Sequence, residues 1–263
     1  MREDAVSLEE QRLSGVEVIE DYPSFHERHR IFPAVFENRE HKRILDVAAG
    51  VGCAAQRIHN GYPAELVCND VAPTSLRVLG GMGLNTVSFN LDDATEPFPL
   101  DSGSFDAVVA LATIEHLIYT DHFVKEIHRV LPDNGHFYVS APNYSGLTYL
   151  LPFMVSGRTF HDPLDPESRY EFYAHVRYFT YRTLLEYVGS FGFVPEAVYL
   201  GVPQESTKYR TLCEKSKMKA AAFRFAMTTV YSLGSPRWAA EPVLCFRKCS
   251  GQQGSGKPRK VVL

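Results

Sequence analysis

The stretch RILDVAAGVGCAAQRI, residues 43–58, restricts the fold more than any other part of the chain. Ile44, Leu45, Asp46 and Val47 make an apolar run that suits a strand buried on both faces, and Ala54 to Ile58 opens a helical pattern. The turn between them is poor in side chains. Gly50 and Gly52 admit backbone angles and close approaches that a Cβ forbids, so a flat or extended ligand can lie against the main chain where the helix begins. Asp46 adds an acceptor at the strand end. The turn predicts a small-molecule cofactor site without naming the cofactor.

From there the pattern alternates. RILDV, AELVCND, NTVSFN, FDAVVALA, GHFYVSA, FVPEAVYLG and PVLCFRK read as strands, and CAAQRIHN, PTSLRVLGGMG, DHFVKEIHRVL and YRTLLEYVGSFG read as helices. This order predicts an α/β fold, a doubly wound, mostly parallel sheet of seven strands with its ligand beyond the carboxyl ends of the strands. No linker divides the 263 residues, so one domain is expected over residues 41–249. Residues 1–40 read as two helical pieces broken near Pro23 and Pro33, a candidate N-terminal helical lid. Residues 142–179 and 202–242 read as inserts, the second with one helical stretch, and the Gly-, Gln- and Ser-rich residues 250–263 as a disordered tail.

A net charge of −4 gives no overall electrostatic case for nucleic acid or an anionic membrane. No apolar run approaches the ~20 residues of a membrane-spanning helix. The five cysteines have no paired spacing and the charged start has no apolar signal core, which points to the cytoplasm. Cys245 and Cys249 lack a second pair or His partners to complete a zinc site, so no metal set is assigned.

Acidic residues fall where successive strands end: Asp46, Asp70 in CNDVAP, and Asp92 or Asp93 in NLDDATEPFP. A ligand bearing a nucleoside needs acceptors at fixed spacing for its hydroxyls and amine, and strand-end carboxylates supply them. Each acid alone reads equally well as a helix cap. The ordered segments ILDVAAGVG, CNDVAP, NLDDATEPFPLDSGSFDAVVALATIEHL and EIHRVLPDNGHFYVSAPN resemble the class I S-adenosylmethionine-dependent methyltransferases, in particular the type 11 branch, over about residues 40–200. That resemblance implies S-adenosylmethionine as cofactor, a Rossmann-like sheet with its last strand antiparallel, and a set of site residues. Asp46, Ala48, Gly50 and Gly52 would surround the methionine portion. Asp70 would take the ribose hydroxyls with Val71 against the adenine, and Asp92 or Asp93 the adenine amine with Ala94 beside it. Ala112 and Thr113 would line the far side, with His116 next to them. Ala48 departs from the glycine common at that position by one methyl group. GVGCAA also fits a nicotinamide-dinucleotide turn that ends in alanine, and the later segments weigh against that reading.

Methyl transfer from a sulfonium is an in-line displacement, so positioning dominates, and a base is needed only for an acceptor with a proton of high pKa. His116 and His175 are the candidate bases. The 142–179 insert carries Asn143, Tyr144, Tyr149, Phe153, Phe160, His161, Tyr170, Phe172, Tyr173 and Tyr178, an aromatic set that suits a sugar, phenol, quinone or polyketide. Asn143, Tyr144 and Tyr178 are the acceptor-binding candidates. APNY is not the Asn-Pro-Pro-Tyr type motif that amino-directed nucleic-acid methyltransferases share. The expectation is O-methylation of a small molecule by a monomer or homodimer. A non-catalytic, methyltransferase-like binding or partner subunit is the alternative from another class.

Overall fold

β-branched and aromatic runs of five residues build the centre of one sheet. The computed structural model describes residues 3–22, 25, 29–157, 161, 164, 169–202, 207–249 and 256–263. Its strands are β1 (Arg43–Val47), β2 (Glu65–Asn69), β3 (Asn85–Val87), β4 (Ala107–Leu111), β5 (His136–Ser140), β6 (Phe193–Leu200), β7 (Val243–Lys248) and β8 (Arg259–Val262). They lie in the order β3-β2-β1-β4-β5-β7-β6-β8. Only β7 runs antiparallel to its neighbours, β5 and β6. The chain moves outward from β1 through β2 to β3 and then returns to β4 on the other side of β1, so the topological switch lies between β1 and β4.

Alternation along the strands feeds two apolar layers. Leu45, Val47, Val108, Phe137, Val139, Phe193 and Phe246 face one, where α4 (Thr120–Val130) and α7 (Tyr181–Gly189) pack. Ile44, Val109, Tyr138, Tyr199 and Cys245 face the other, with Ala55 and Ile58 of α2 (Cys53–Gly61) and Leu79 of α3 (Pro73–Gly81). In α4, Phe123, Val124, Ile127 and Val130 recur at helical spacing and are buried. Thr180 caps α7 by accepting from the Thr183 N–H.

Three expectations change. The sheet has eight strands, not seven, because residues at the end of the supposed tail form β8 alongside β6. Val261, Val262 and Leu263 follow a polar, glycine-rich stretch whose composition masks them; residues 250–255 lie outside the described set. The 142–179 insert contains α5 (Leu147–Ser156) and α6 (Arg169–Ala174), and the second insert holds two helices, α8 (Thr207–Lys215) and α9 (Lys217–Leu233). On α9, Met218, Phe225 and Leu233 are exposed.

The N-terminal forty residues do not form one unit. Past α1 (Glu3–Arg12), Leu13, Val16 and Ile19 pack on Val51, Cys53, Ala72 and Val78, next to the glycine turn. Phe32, Val35 and Phe36 are buried in the second sheet layer. Pro23 lies outside the described residues.

The loop between β3 and β4 is held by one side chain that sequence reading passed over. Arg129 donates to Phe98 O, Leu100 O and Ser102 Oγ while pairing with Glu126, whose carboxylate also accepts from Phe98 N. Arg129→Ala should lower stability by about 1–2 kcal/mol, mostly through the two stranded carbonyls because the ion pair is partly solvated. Urea unfolding should show a lower midpoint with an unchanged slope.

Candidate functional site

The strand tips flanking the switch carry backbone shapes that side chains rarely adopt. Ala48 follows β1 with φ +51° and Ala112 follows β4 with φ +50°. Gly50 and Gly52 have φ +57° and +90°. The two glycines serve different ends. A Cβ on Gly50 would meet nothing within 4 Å, so the main chain there borders open space. One on Gly52 would come within 2.7 Å of Met82 Cε and 2.8 Å of Leu79 Cδ2, so the start of α2 is packed tightly against α3.

Asp70, just beyond β2, binds this turn. One oxygen accepts from Gly50 N at 2.8 Å, and the other from Val71 N and Ala72 N at 2.9 Å each. Burial raises its pKa, and the three N–H donors oppose that rise. Asn69 reinforces the same corner: its backbone oxygen accepts from Ala49 N, and its amide donates to Phe89 O at 3.0 Å. Asn69 is 1% exposed and was missed in the sequence because an amide inside a strand gives no periodic signal.

Asp46 lies below the turn. It is 3% exposed, and its buried Oδ2 has no hydrogen-bond partner. Burial, with Asp70 nearby, pushes its carboxyl up to about 8. A protein retains such a group at a cost in stability, and a ligand cation above it would turn that cost into affinity.

The third acidic position divides. Asp92 Oδ1 accepts from Ile118 N at 2.8 Å and Tyr119 N at 2.7 Å, tying the loop after β3 to the start of α4. Asp93 is exposed and accepts from the Thr95 N–H and hydroxyl; Ala94 is exposed beside it. Thr113 is buried and donates to Leu111 O.

On the far side of β4, Ile114–His116 form a 3-10 turn. His116 Nδ1 donates to Ala174 O at 3.0 Å. His175 is buried, its ring centroid 4.8 Å from that of His116. Tyr144 Oη lies 3.0 Å from His161 Nε2 and 3.1 Å from His175 Nδ1. Tyr178 is exposed, its ring 5.0 Å from that of Tyr144, and Tyr149 is 5.2 Å away on the same ring. The acceptor expectation fails for Asn143. Its Nδ2 donates to Arg237 O and Ala239 O, and its Oδ1 accepts from Ser145 N, Ser145 Oγ and Tyr181 N, so the whole amide is spent on joining β5, α7 and the Pro236–Trp238 turn. Phe160 and the side chain of Tyr170 lie outside the described residues.

Residues 45–139 match the family model of a methyltransferase domain. The chain carries a type 11 methyltransferase domain. Among curated relatives, it is 37% identical over 111 residues to malonyl-[acyl-carrier protein] O-methyltransferase of Geobacter sulfurreducens, a match covering 41% of this chain and 42% of that one. It is 30% identical over 124 residues to ajmaline N-methyltransferase of Rauvolfia serpentina, covering 45% and 40%. The matches therefore span less than half the length of either relative. A solved S-adenosylmethionine-dependent methyltransferase from Mesorhizobium loti superposes with a TM-score of 0.54 at 18% identity, over 88% of this chain and 100% of the other, a likeness of fold. Within the matched domain lie the glycine turn, Asp70, Asp92 and the Ile114–His116 turn; Tyr144, His161 and His175 lie beyond it.

The domain's turn yields two predictions. Ala48→Gly should raise stability by about 0.5–1 kcal/mol, because glycine removes the left-handed penalty and returns part of it as unfolded-state entropy; thermal unfolding checks it. Asp46, with a folded pKa of about 8 against an ordinary 3.8, holds its proton in the folded chain over a range where the unfolded chain has lost it. Its contribution to stability is therefore greatest at low pH and falls as pH rises from about 4 to about 8. Asp46→Asn should flatten the dependence of the midpoint temperature on pH in that window and raise stability above it.

Proposed function

We propose that the chain transfers the methyl group of S-adenosylmethionine to a small acceptor, most simply an oxygen of a sugar, glycan precursor or aromatic compound. The observation that carries this reading is the buried, unpartnered Asp46 oxygen beneath an open glycine turn whose other wall is Asp70. Two neighbouring carboxyls in a desolvated corner favour a ligand with positive charge, which lowers the cost of ionising Asp46, and with hydroxyls to donate, over the anionic pyrophosphate of a nicotinamide dinucleotide. Asp46, Ala48, Gly50 and Gly52 would hold the amino-acid end, Asp70 and Val71 the ribose and base. Asp92, Asp93 and Ala94 would reach the adenine edge, and Ala112 and Thr113 the opposite wall. Bound there, S-adenosylmethionine supplies an electrophilic methyl group on a sulfonium.

The protein's own part is to exclude water and to present the acceptor. Tyr144, Tyr149 and Tyr178 bring aromatic faces to one place, which suits a ring-bearing or sugar acceptor. His116 and His175 stand beside them to manage the acceptor's polar atom. One relative is named for N-methylation of ajmaline and the other for O-methylation of a malonyl group on acyl-carrier protein, so the choice of acceptor atom is left to these residues.

Calorimetric titration with S-adenosylmethionine, S-adenosylhomocysteine and NAD tests the reading. The first two should bind in the micromolar range and NAD should not. Asp70→Ala should weaken binding roughly tenfold or more. It should also cost about 2–3 kcal/mol of stability, since Asp70 holds the turn as well as the ligand, which the sequence alone did not show. Equal affinity for NAD, or no binding of the sulfonium compounds, would overturn the assignment.

A further inference from the structure

We infer that Glu115, His116 and His175 form a binding site for one divalent first-row transition ion on the acceptor side of the cofactor turn. One ligand atom from each of these residues lies within 4.8 Å of the other two. Glu115 Oε1 is 3.9 Å from His116 Nε2. Glu115 is 1% exposed and His175 is buried, so the carboxylate and one imidazole are already out of bulk water. Metal bonds of about 2.1 Å bring ligand atoms to roughly 3–3.5 Å of one another. Closing the site therefore takes side-chain movements on the order of 1 Å, with no change of backbone.

The hydrogen bonds around the cluster place a proton on Nδ1 of His116 and are compatible with the same tautomer in His175. A carbonyl oxygen only accepts, so His116 Nδ1 carries the proton that it donates to Ala174 O, and when the ring is neutral its lone pair is on Nε2, the atom that faces Glu115. His175 Nδ1 meets Tyr144 Oη and His161 Nε2 at 3.1 and 3.2 Å. In the tautomer that donates its Nδ1 proton to that pair, Nε2 has a lone pair to give. A ligating histidine whose second nitrogen is fixed by a carbonyl or another acceptor is the arrangement that orients imidazoles at metal sites.

Backbone pairing keeps the two halves of the site in register. Glu115 O accepts from Val176 N at 2.9 Å and Arg177 N at 3.0 Å, and Arg177 Nη2 donates to Ile118 O at 2.6 Å. The end of α6 is thus clamped onto the turn after β4, and the ligands sit on positions the main chain fixes. Two imidazoles and one carboxylate suit zinc, iron, manganese or cobalt and leave coordination positions for an exogenous oxygen. That this oxygen belongs to the methyl acceptor rests on the methyl-transfer reading, since Ala112 and Thr113 immediately precede the turn; the ion site itself does not.

The test is a titration of the metal-free full chain with Co2+, read by visible absorption and by equilibrium dialysis, beside Glu115→Gln and His175→Ala. Wild type should bind one Co2+ per chain with new d–d bands that Zn2+ abolishes, and each variant should lose at least tenfold in affinity while S-adenosylmethionine binding persists. No uptake by wild type, or uptake that both variants match, overturns the site. Glu115→Gln keeps the size and shape of the buried side chain and decides the matter if His175→Ala does not fold. Cobalt uptake without S-adenosylmethionine binding would remove the methyl-transfer reading and leave the ion site standing. The converse result would remove the ion site alone.

Discussion

One carboxylate, that of Asp70, ties together the parts on which the site depends. Its two oxygens take three backbone N–H groups, one from the turn after β1 and two from the turn after β2. Buried backbone donors need partners, and no strand ladder reaches these positions. The bond to Gly50 is also what sets the open edge of the glycine turn against the second strand tip. Asp46 lies just behind, charged only at expense, so the corner joins one satisfied acid to one unsatisfied acid. Such an arrangement is poor for stability and good for capturing a cation.

Support for that corner comes from both sides. Below it, the sheet supplies Asn69, which stitches the tips of β1, β2 and β3. Above it, the N-terminal segment packs Leu13, Val16 and Ile19 on Val51 and Cys53, while Glu10 accepts from the backbone and hydroxyl of Thr74 at the start of α3. Arg77 holds the segment from the other direction by donating to Val16 O and Glu17 O. The glycine turn is therefore clamped between layers, which suits a site whose work is positioning.

The strand, turn and helix around Asp46 were legible because periodicity, glycine and a strand-end acid all report on local structure. The positions of β2, β4, β5, β6 and β7 followed from the same alternation, and the antiparallel sense of β7 was implied by resemblance. What the sequence hid was long-range. Asn143 looked like a ligand contact because the partners of its amide nitrogen lie some ninety residues on, at Arg237 and Ala239. β8 was masked by the polar stretch before it. Glu115 and His175 are sixty positions apart and meet only because the end of α6 pairs with the turn after β4.

The place of β7 bears on how the sheet is assembled. β5 and β6 lie in the same direction with a gap between them that only Val243–Lys248 fills, and every ladder contact across that gap joins residues that are distant along the chain. A growing polypeptide can zip β1 to β5 from neighbouring pieces, but β6 gains its partners in the sheet only once residues 243–262 have emerged. The half-sheet holding the glycine turn can thus mature early, whereas the flank that braces α7 closes late, at the entropic cost of long loops.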